Sequence, residues 1–408
     1  MNDESAILAD YRALIDSNKG LGSAHFASPV VFDLEKSHVF MRTWVCIGVA
    51  SDISENGDVC PGTFLGMPLL LARHAGGVKV FHNLCSHRGA VLVNAPGKGR
   101  ARITCPYHAW TYDLSGSLLH TPHVDGPGRH SCESLDPSRL GLREIRSAEW
   151  CGHVFTDFSG QAPPFDEWIR PMDERLGHLH SADLRRDPEA GVEFDLSVNW
   201  KIIAENFSES YHLPFVHREL NQVNPMEDHY QILGGHSYVG QGSTGFSGSK
   251  DNLGTLPLLS AVMQRSRYEF FYVFPNLMLV PFPDMMFSII AFPLSPRRTI
   301  ERLSLFVGGE EAMAAPHAGA RKASNDFAVR INQEDFVVLN AVQAGRESPA
   351  YGGGHIVSQQ ETTSLHFQKM VAARVLATAN DATPHETVDL PTEDVAHFAV
   401  RGQSQSSN

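Results

Sequence analysis

Several features that would mark a membrane, secreted or nucleic-acid-binding protein are absent from this 408-residue sequence. It has no run of eighteen apolar residues, and Met1 to Ser5 have neither the basic start nor the apolar core of a signal peptide. Positive charge is scarce, since 33 Lys and Arg stand against 46 Asp and Glu, for a formal net charge of −13. Nucleic acids and anionic membranes bind clustered positive charge, so neither is expected as a partner. We expect a cytoplasmic protein.

Cysteines and nucleotide-binding signals are also sparse. The six cysteines are scattered along the chain, and a reducing compartment would keep such thiols from pairing. No Gly-x-Gly-x-x-Gly joins an apolar strand to a helix, as in a dinucleotide-binding fingerprint, and no second cysteine quartet of the plant-ferredoxin kind occurs. The remaining composition, 42% hydrophobic and 19% charged, is ordinary for a globular protein of two domains.

Two short segments hold the residue types of an iron–sulfur site. Cys85-Ser-His87 is followed, after a gap of 17 residues, by Cys105-Pro-Tyr-His108. Two thiolates and two imidazoles suit a Rieske [2Fe–2S] centre, in which the cysteines hold one iron and the histidines the other. Structural zinc with Cys2His2 ligation is the alternative, but zinc fingers pair Cys with Cys and His with His. Because each arm here carries one of each, the pattern favours the iron–sulfur cluster.

A second metal site is indicated by segment 199–217. Read as one helix of 3.6 residues per turn, it sets three polar side chains on one face, namely Glu205, Glu209 and His212. We expect Pro214 to end this helix, with His217 just beyond it. Two neutral imidazoles and a carboxylate from elsewhere make the facial triad that binds non-haem Fe(II) and leaves positions open for dioxygen and substrate.

A later helix is expected from about Ser324 to Ala344, closed by Gly345, and it offers a carboxylate for such a site. Its apolar stripe consists of Phe327, Ile331, Val338 and Val342. Asp335 falls within that stripe, where a buried carboxylate costs several kcal/mol unless a cation pairs with it. The cation could be an arginine such as Arg330, or a metal ion. Glu334, one residue off the stripe, is the alternative ligand.

Together these motifs resemble the large (alpha) subunit of a Rieske non-haem iron oxygenase, over nearly the whole chain. The second motif of the resemblance is Glu205-Asn206-x-x-Glu209-x-Tyr211-His212-x-x-x-x-His217, followed by the acidic pair Glu334-Asp335. The resemblance implies that the cluster is held by Cys85, His87, Cys105 and His108. It implies that the mononuclear iron is held by His212, His217 and Asp335. It also places Asn206 and Glu209 among the catalytic residues.

The resemblance further implies a route for electrons. In the family, the cluster of one subunit reduces the iron of its neighbour within a ring of three, across a carboxylate bonded to a histidine of each centre. Glu209 holds that position, with His212 of its own chain and His108 of the neighbour as partners. A homotrimer and a separate flavin- and iron–sulfur-containing reductase that draws on NAD(P)H are therefore expected, with O2 as co-substrate. Whether a small second subunit is needed stays open.

Position 209 also bears on the substrate. Ring-hydroxylating dioxygenases commonly have Asp at this position. With Glu209, the chain instead resembles the branch that oxidises carnitine, choline and betaines. A cage for the ammonium group could come from nearby aromatic residues, although aromatic residues in strands are more often core. The candidates are Phe215, Tyr230, Tyr238, Phe246, Phe270, Phe271, Tyr272 and Phe274.

The expected enzyme is therefore a monooxygenase or dioxygenase that hydroxylates the carbon next to nitrogen in a quaternary or methylated amine. Hydroxylation or O-demethylation of an aromatic acid is the alternative reaction. A protein of a different class, an electron carrier that uses only the cluster, is the other possibility.

The predicted fold class is α+β. Residues 1–44 are expected to form helices that pack on the catalytic domain, and 45–160 an antiparallel β Rieske domain, because short apolar runs alternate there with Gly, Pro, Asn and Asp. Strands followed by helices predict a catalytic domain over 161–385, an antiparallel sheet covered by helices as in helix-grip folds. Residues 386–408 are expected to be a polar tail that is frayed or lightly packed. The glycine-rich stretch 233–254 is either a lid or a plain hairpin.

Overall fold

The computed structural model describes most of the chain, namely residues 4–17, 19–75, 77–133, 135–180, 184–244, 256–257, 259, 268–356, 361–379 and 388–396. The chain forms two compact units, residues 41–165 and residues 1–40 with 166–408. Helices and antiparallel sheets are both present, which confirms the α+β class. Among the described helices, none has the length and apolar character needed to cross a membrane.

The smaller unit, residues 41–165, is built from nine antiparallel strands in its described part. These are β1 (Trp44–Val49), β2 (Val59–Phe64), β3 (Met67–His74), β4 (Gly77–His82), β5 (Ile103–Thr104), β6 (Thr111–Tyr112), β7 (Leu118–His120), β8 (Glu144–Trp150) and β9 (His153–Asp157). Six of them form one sheet in the order β1-β9-β8-β4-β3-β2, and the others form a small sheet in the order β5-β6-β7. The segment 105–110 therefore connects two paired strands, β5 and β6.

The larger unit contains a long antiparallel sheet. Its strands are β10 (Leu184–Arg186), β11 (Val192–Leu196), β12 (His229–Gly234), β13 (Tyr238–Ser243), β14 (Tyr268–Val273), β15 (Leu277–Pro281), β16 (Met285–Ser295), β17 (Arg298–Gly308) and β18 (Thr392–Ala396). The order is β10-β17-β16-β15-β14-β13-β12-β18, and β11 also pairs with β17. The predicted antiparallel arrangement of the strands within 268–308 is confirmed.

Helices cover this sheet. They are α1 (Glu4–Ile15), α2 (Ala24–Ala27), α3 (Pro29–His38), α4 (Phe165–His180), α5 (Trp200–Ser208), α6 (Leu213–Val216), α7 (Arg218–Val223), α8 (Gly309–Met313), α9 (Ala318–Arg346) and α10 (Thr362–Ala379). Helix α10 packs on β12 and β13, and α5 packs on β13 and β14. Helices α1 and α3 in turn pack on α10, so the first forty residues belong to this unit.

Of the two alternatives for residues 386–408, the frayed tail is wrong for one segment. Thr392–Ala396 is not frayed but forms β18, which pairs with β12 from Gly234↔Thr392 to Tyr230↔Ala396. Without β18, the backbone groups along one side of β12 would lie at an open sheet edge, which proteins commonly cover. The tail residues after Ala396 lie outside the described part of the chain.

Two further predictions are corrected or left open. Helix α9 is longer than predicted, because it begins at Ala318 and continues past Gly345 to Arg346. The amide of Glu347 still donates to Gln343 O at 3.0 Å, so the glycine does not close the helix. In the glycine-rich stretch, 234–238 forms a tight turn between β12 and β13. Residues 245–254 lie outside the described residues, so the lid stays a prediction.

Candidate active site

Two loops with the same turn carry the four predicted cluster ligands. In the first, the amide of Gly89 donates to Cys85 O at 2.9 Å, and in the second the amide of Ala109 donates to Cys105 O at 3.1 Å. The fourth residue after each cysteine has a left-handed backbone, with φ of 72° at Gly89 and 56° at Ala109. This turn lets each loop fold back over its own cysteine and carry its histidine beside it.

The structure places the two loops side by side, cysteine beside cysteine and histidine beside histidine. Cys85 and Cys105 are buried in the core of the smaller unit. The rings of His87 and His108 lie 4.7 Å apart between centroids, and His87 stacks on Trp110 at 4.7 Å. His87 is exposed and His108 is half-buried, so the thiols face the core and the imidazoles face outward.

The surroundings of these side chains fit a metal cluster. Nδ1 of His108 is buried and has no hydrogen-bond partner among the described residues, as a nitrogen that ligates iron would. Burial raises the pKa of the Cys85 thiol, and the hydroxyl of Tyr112, 3.2 Å from its sulfur, offsets this only in part. Such a thiol gives up its proton when a metal takes the proton's place. The donor set is that of a Rieske centre.

The predicted iron ligands also come together, in the larger unit. One ligand atom from each of His212, His217 and Asp335 lies within 4.8 Å of the others. Oδ1 of Asp335 is 3.0 Å from Nε2 of His217 and 3.8 Å from Nε2 of His212. His217 is buried and Asp335 is 14% exposed, so the point between them is largely shielded from solvent.

The backbone of segment 199–217 differs from the predicted single helix. Asn199 caps α5 by accepting from the amide of Lys201 at 3.0 Å, but α5 ends at Ser208. Glu209 is extended, with φ −126° and ψ 164°, so helix phase does not set the direction of its side chain. Pro214 does not end a helix; it lies in the first turn of α6, where its missing N–H costs nothing.

Side chains from other elements explain why α5 stops there. Nε2 of Gln241, on β13, donates to the carbonyls of Phe207 at 3.1 Å and Glu209 at 2.9 Å. Oγ1 of Thr363, on α10, donates to the carbonyl of Ser208 at 2.8 Å. These tertiary contacts satisfy the last carbonyls of the helix, which sequence alone does not reveal.

Each iron-site imidazole is held by a carboxylate on its other nitrogen. Nδ1 of His212 lies 2.5 Å from Oε1 of Glu209, and Nδ1 of His217 lies 2.8 Å from Oε2 of Glu334. Asp335 thus lies on the Nε2 side of both histidines, and Glu334 lies on the Nδ1 side of His217. The sequence had suggested Glu334 only as an alternative ligand. Carboxylate partners of this kind fix the tautomer and the ring direction of metal-binding histidines.

The arrangement demands a cation. With Nδ1 donating to a carboxylate, Nε2 of each neutral imidazole is an acceptor that faces the carboxylate of Asp335. Nε2 of His217 and Oδ1 of Asp335 make no hydrogen bond of acceptable angle despite their 3.0 Å separation. Arg330 does not supply the positive charge, because it pairs with Glu219 at 2.9 Å. Burial lowers the pKa of His217, but the two acidic neighbours outweigh burial and raise it. A divalent iron fits this donor set.

A cavity of about 160 Å³ opens beside the triad, and most of its wall is apolar. Its apolar lining is Phe207, Leu213, Leu220, Phe270, Val280, Phe282, Phe287, Ile289, Leu303, Phe327, Ala328 and Ile331. Besides the triad, its polar lining is Asn206, Asn224, His229, Gln241 and Asn332. No Lys or Arg occurs among these described lining residues.

The predicted aromatic cage is largely wrong. Of the eight candidates only Phe270 lines the cavity. Phe271 is buried on the opposite face of the sheet from Phe270, because neighbouring strand residues point to opposite faces. Tyr272 and Phe274 are buried against Phe367 of α10, at 5.4 and 6.2 Å between ring centroids. Tyr230 and Tyr238 are also buried, Phe215 is 70% exposed, and Phe246 lies outside the described residues. The cavity instead has Phe207, Phe282, Phe287 and Phe327.

A second, more polar cavity lies on the other side of His212. It is lined by Glu209 and Asn206 together with Glu205 and Arg346, which pair at 2.7 Å. Asn206 and His212 line both cavities. The segment that contains Glu209 therefore separates an apolar chamber at the triad from a polar one at the Glu209 carboxylate.

Sequence reasoning missed His229 and Gln241, which hydrogen-bond each other at 2.8 Å within the wall of the apolar cavity. The turn after Gly234 is the sequence feature from which their proximity could have been predicted. A tight hairpin there pairs Gln231 with Gln241 and His229 with Ser243, so both side chains fall at one end of the hairpin.

The sequence matches two protein-family profiles. Residues 43–135 match the Rieske [2Fe-2S] domain, and residues 181–377 match the ring hydroxylating alpha subunit (catalytic domain). The chain is 25% identical over 359 residues to the carnitine monooxygenase oxygenase subunit of Acinetobacter pittii, covering 85% of this chain and 92% of that protein. It is 27% identical over 360 residues to the chloroplastic choline monooxygenase of Beta vulgaris, covering 85% and 74%.

Solved structures of Rieske oxygenases are also similar to this chain. A quaternary ammonium Rieske monooxygenase, studied for carnitine oxidation by gut microbiota and inter-subunit electron transfer, superposes with a TM-score of 0.74 at 25% identity, covering 90% of this chain and 98% of that one. Naphthalene 1,2-dioxygenase with indole bound gives 0.74 at 19% identity, covering 93% and 97%, which speaks for the fold alone.

Proposed function

Because the chain belongs to the Rieske non-haem iron oxygenases as a large (alpha) subunit, we propose that it hydroxylates a carbon bound to the nitrogen of a quaternary or methylated amine. The hydroxylated carbon then leaves as an aldehyde, which releases the demethylated or cleaved amine. The chain uses a [2Fe–2S] cluster, mononuclear iron and O2. The observation that carries the proposal is an iron triad in the wall of an apolar, phenylalanine-lined cavity, in a chain similar to carnitine and choline monooxygenases.

Three of the cavity rings support binding of a methylated ammonium group. Phe282 lies 6.2 Å from Phe270 and 6.1 Å from Phe287 between centroids, with interplanar angles of 62° and 83°. Rings set at such steep angles offer faces and edges from different directions, and their faces attract a cation. An aromatic acid has no ammonium group for these ring faces to attract, and the described cavity wall has no Lys or Arg for its carboxylate. The aromatic-acid alternative is therefore not favoured.

An electron carrier that uses only the cluster is also not favoured. Residues 181–377 match an oxygenase catalytic domain, and they contain the iron triad. The zinc alternative for the first motif loses its basis too, because residues 43–135 match the Rieske [2Fe-2S] domain.

We assign the metal ligands as the donor sets suggest. The cluster is held by Cys85, His87, Cys105 and His108, and the mononuclear iron by His212, His217 and Asp335. When bound, the mononuclear iron supplies the open coordination positions at which dioxygen reacts. Glu209 and Glu334 keep the two imidazoles in the tautomer that presents Nε2, and the phenylalanine walls hold the substrate and exclude water.

Electrons reach the iron through Glu209 in this proposal. Its carboxylate lies on Nδ1 of His212 and also lines the polar cavity, so it is open to a group that approaches from that side. A homotrimer would bring His108 of a neighbouring subunit there, and a separate NAD(P)H-dependent reductase would reduce the cluster. The cytoplasmic location stays a prediction, since the similar plant enzymes are chloroplastic.

Anaerobic ligand titration tests the proposed function. We would purify the chain with iron, reduce it, record the EPR signal of the cluster, and titrate choline, carnitine and aromatic acids against the ferrous site. We expect methylated amines to perturb the mononuclear iron. Perturbation by aromatic acids alone would favour the alternative reaction, and a cluster without a second iron, even after reconstitution, would contradict oxygenase chemistry.

A further inference from the structure

His229 is a buried polar side chain that has no role in the chemistry described so far. It is 4% exposed, starts strand β12 and lines the apolar cavity beside the triad. Its Nδ1 is bonded to Oε1 of Gln241 at 2.8 Å, while its Nε2 is buried and has no hydrogen-bond partner among the described residues. A buried nitrogen without a partner costs free energy unless a ligand or water satisfies it.

The neighbouring amide determines which nitrogen of His229 carries the proton. Nε2 of Gln241 donates to two backbone carbonyls, those of Phe207 and Glu209, so the amide cannot turn around without losing both bonds. Oε1 of Gln241 therefore faces His229, and Nδ1 must be the donor. Burial lowers the pKa of His229 and outweighs the opposite effects of Gln241 and the Asn224 carbonyl, so the ring is neutral. In this tautomer Nε2 is an acceptor.

A second acceptor lies in the same part of the cavity wall. Asn224 is 2% exposed and lines the cavity, and its Oδ1 has no hydrogen-bond partner among the described residues. The surrounding wall is formed by apolar side chains such as Leu220 and Phe287. A ligand that fills this cavity thus meets acceptors that a purely hydrocarbon ammonium ion would leave unsatisfied.

We propose that His229 is a specificity residue whose Nε2 accepts a hydrogen bond from a hydroxyl group on the substrate. This inference rests on the proposed function and narrows it to methylated amines that carry a hydroxyl close to the nitrogen. The phenylalanine rings hold the ammonium group without distinguishing one such ion from another. A substrate without the hydroxyl would bury Nε2 unpaired and bind less tightly.

Calorimetric titration of the reduced, iron-loaded enzyme without oxygen tests the proposal. The probes are choline and ethyltrimethylammonium, which differ by the hydroxyl alone. We expect choline to bind about tenfold more tightly to the wild type, the usual worth of one buried hydrogen bond. In His229→Phe the ratio should fall to about one because choline binding weakens, while ethyltrimethylammonium binds as before. His229→Gln, which keeps an acceptor, should retain part of the preference.

Controls separate a local effect from misfolding. Cluster absorbance and iron content check each variant, and His229→Gln alone tests the proposal if His229→Phe does not fold. His236→Gln makes the same change in the turn of the hairpin, where Nε2 of His236 lies 3.0 Å from Val388 O, and should leave the ratio unchanged.

Three results would overturn the proposal. They are equal affinity of the wild type for both probes, a preference that survives in His229→Phe, and a preference for protonated dimethylethylamine over choline. The last result would assign the donor to nitrogen instead of oxygen. By contrast, failure of every methylated amine to bind or react would contradict the proposed function itself.

Discussion

The two metal sites hold their histidines in different ways. At the mononuclear site, each imidazole donates from Nδ1 to a carboxylate, Glu209 or Glu334. At the cluster site, neither His87 nor His108 has a carboxylate partner in the described part of its own chain, and His87 stacks on Trp110 instead. In the proposed trimer His108 would gain such a partner from another subunit, whereas His87 would not. An anionic partner makes an imidazole a more basic ligand. A metal bound by imidazoles without such partners is easier to reduce. The difference suits one site to bind Fe(II) and oxygen and the other to exchange electrons.

Removing Asp335 should break one site and leave the other. In Asp335→Ala we expect iron to fall from about three to about two per chain, with turnover abolished and the cluster EPR signal intact. Iron analysis and EPR on the same sample check this. Arg330→Ala, one turn away and in an exposed pair, is the matched control and should keep all its iron. Loss of the cluster signal in Asp335→Ala would contradict the independence of the sites.

Glu334→Gln should weaken the mononuclear site without emptying it. The amide still contacts Nδ1 of His217 but lacks the charge that makes the ring basic, so iron affinity should fall roughly 10- to 100-fold. Competition with a calibrated chelator measures this affinity. An unchanged affinity would mean that Glu334 is only a surface acid, and Glu219→Gln, on a neighbouring helix, is the control.

Acid should destabilise both units through buried histidines, of which His153 and His366 are the clearest examples. Burial lowers the pKa of His153 in the smaller unit and of His366 in the larger one to about 4. The unfolded chain binds these protons near pH 6.5, so stability is lost as pH falls below that value, on the order of 2 kcal/mol per histidine by pH 5. Urea unfolding at pH 7 and 5 measures the loss. His153→Gln and His366→Gln should each reduce the loss in free energy of unfolding between pH 7 and pH 5. An unchanged loss in both variants would contradict the role given to these histidines.

Tyr112→Phe should affect only the cluster site. It removes the hydroxyl 3.2 Å from the sulfur of Cys85, and hydrogen bonds to sulfur favour the reduced, more negative cluster. Loss of a bond of about 1 kcal/mol corresponds to a potential lower by roughly 45 mV for a one-electron couple. Spectroelectrochemical titration measures the potential. Iron content should not change, and a higher potential would run against this reasoning.

The smallest effects should distinguish the two cluster loops from each other. Gly89→Ala places a side chain on a left-handed backbone, where a Cβ meets no atom within 4 Å, so only the backbone penalty of about 1 kcal/mol is expected. Ala109→Gly relieves the same strain and should be neutral or slightly stabilising. Thermal unfolding of both variants checks these signs. If the unfolding temperature shifted in the same direction in both variants, the two turns would not be equivalent.

The sequence predicts the cluster site better than the iron site for a physical reason. The proposed cluster ligands Cys85 and His87 lie in one short loop, so spacing alone indicates their chemistry. Asp335 could be proposed as a ligand because a carboxylate in an apolar helical stripe needs a cation. The helix expected to carry Glu209 was wrong, however, because Gln241 and Thr363 from distant elements satisfy the carbonyls at its end.

The cavity wall was the least predictable part. Which strand residues face the cavity depends on register, and a shift by one residue exchanges the two faces of a strand. Phe270 was named for the cavity together with Phe271, its neighbour on the opposite face. His229 was missed because its role depends on the hairpin partner Gln241 and on burial, neither of which the sequence shows directly.

The order of segments along the chain has a consequence for how the protein is made. The cluster unit, residues 41–165, is one continuous stretch, whereas the catalytic unit joins residues 1–40 to everything after 165. Helix α1 packs on α10, and β18 completes the sheet beside β12. Since domains fold as they leave the ribosome, the cluster unit can fold and receive its iron and sulfide early. The catalytic unit is completed later, because α1 and α3 cannot pack on α10 until α10 is synthesised and β12 has no partner on one side until β18 follows.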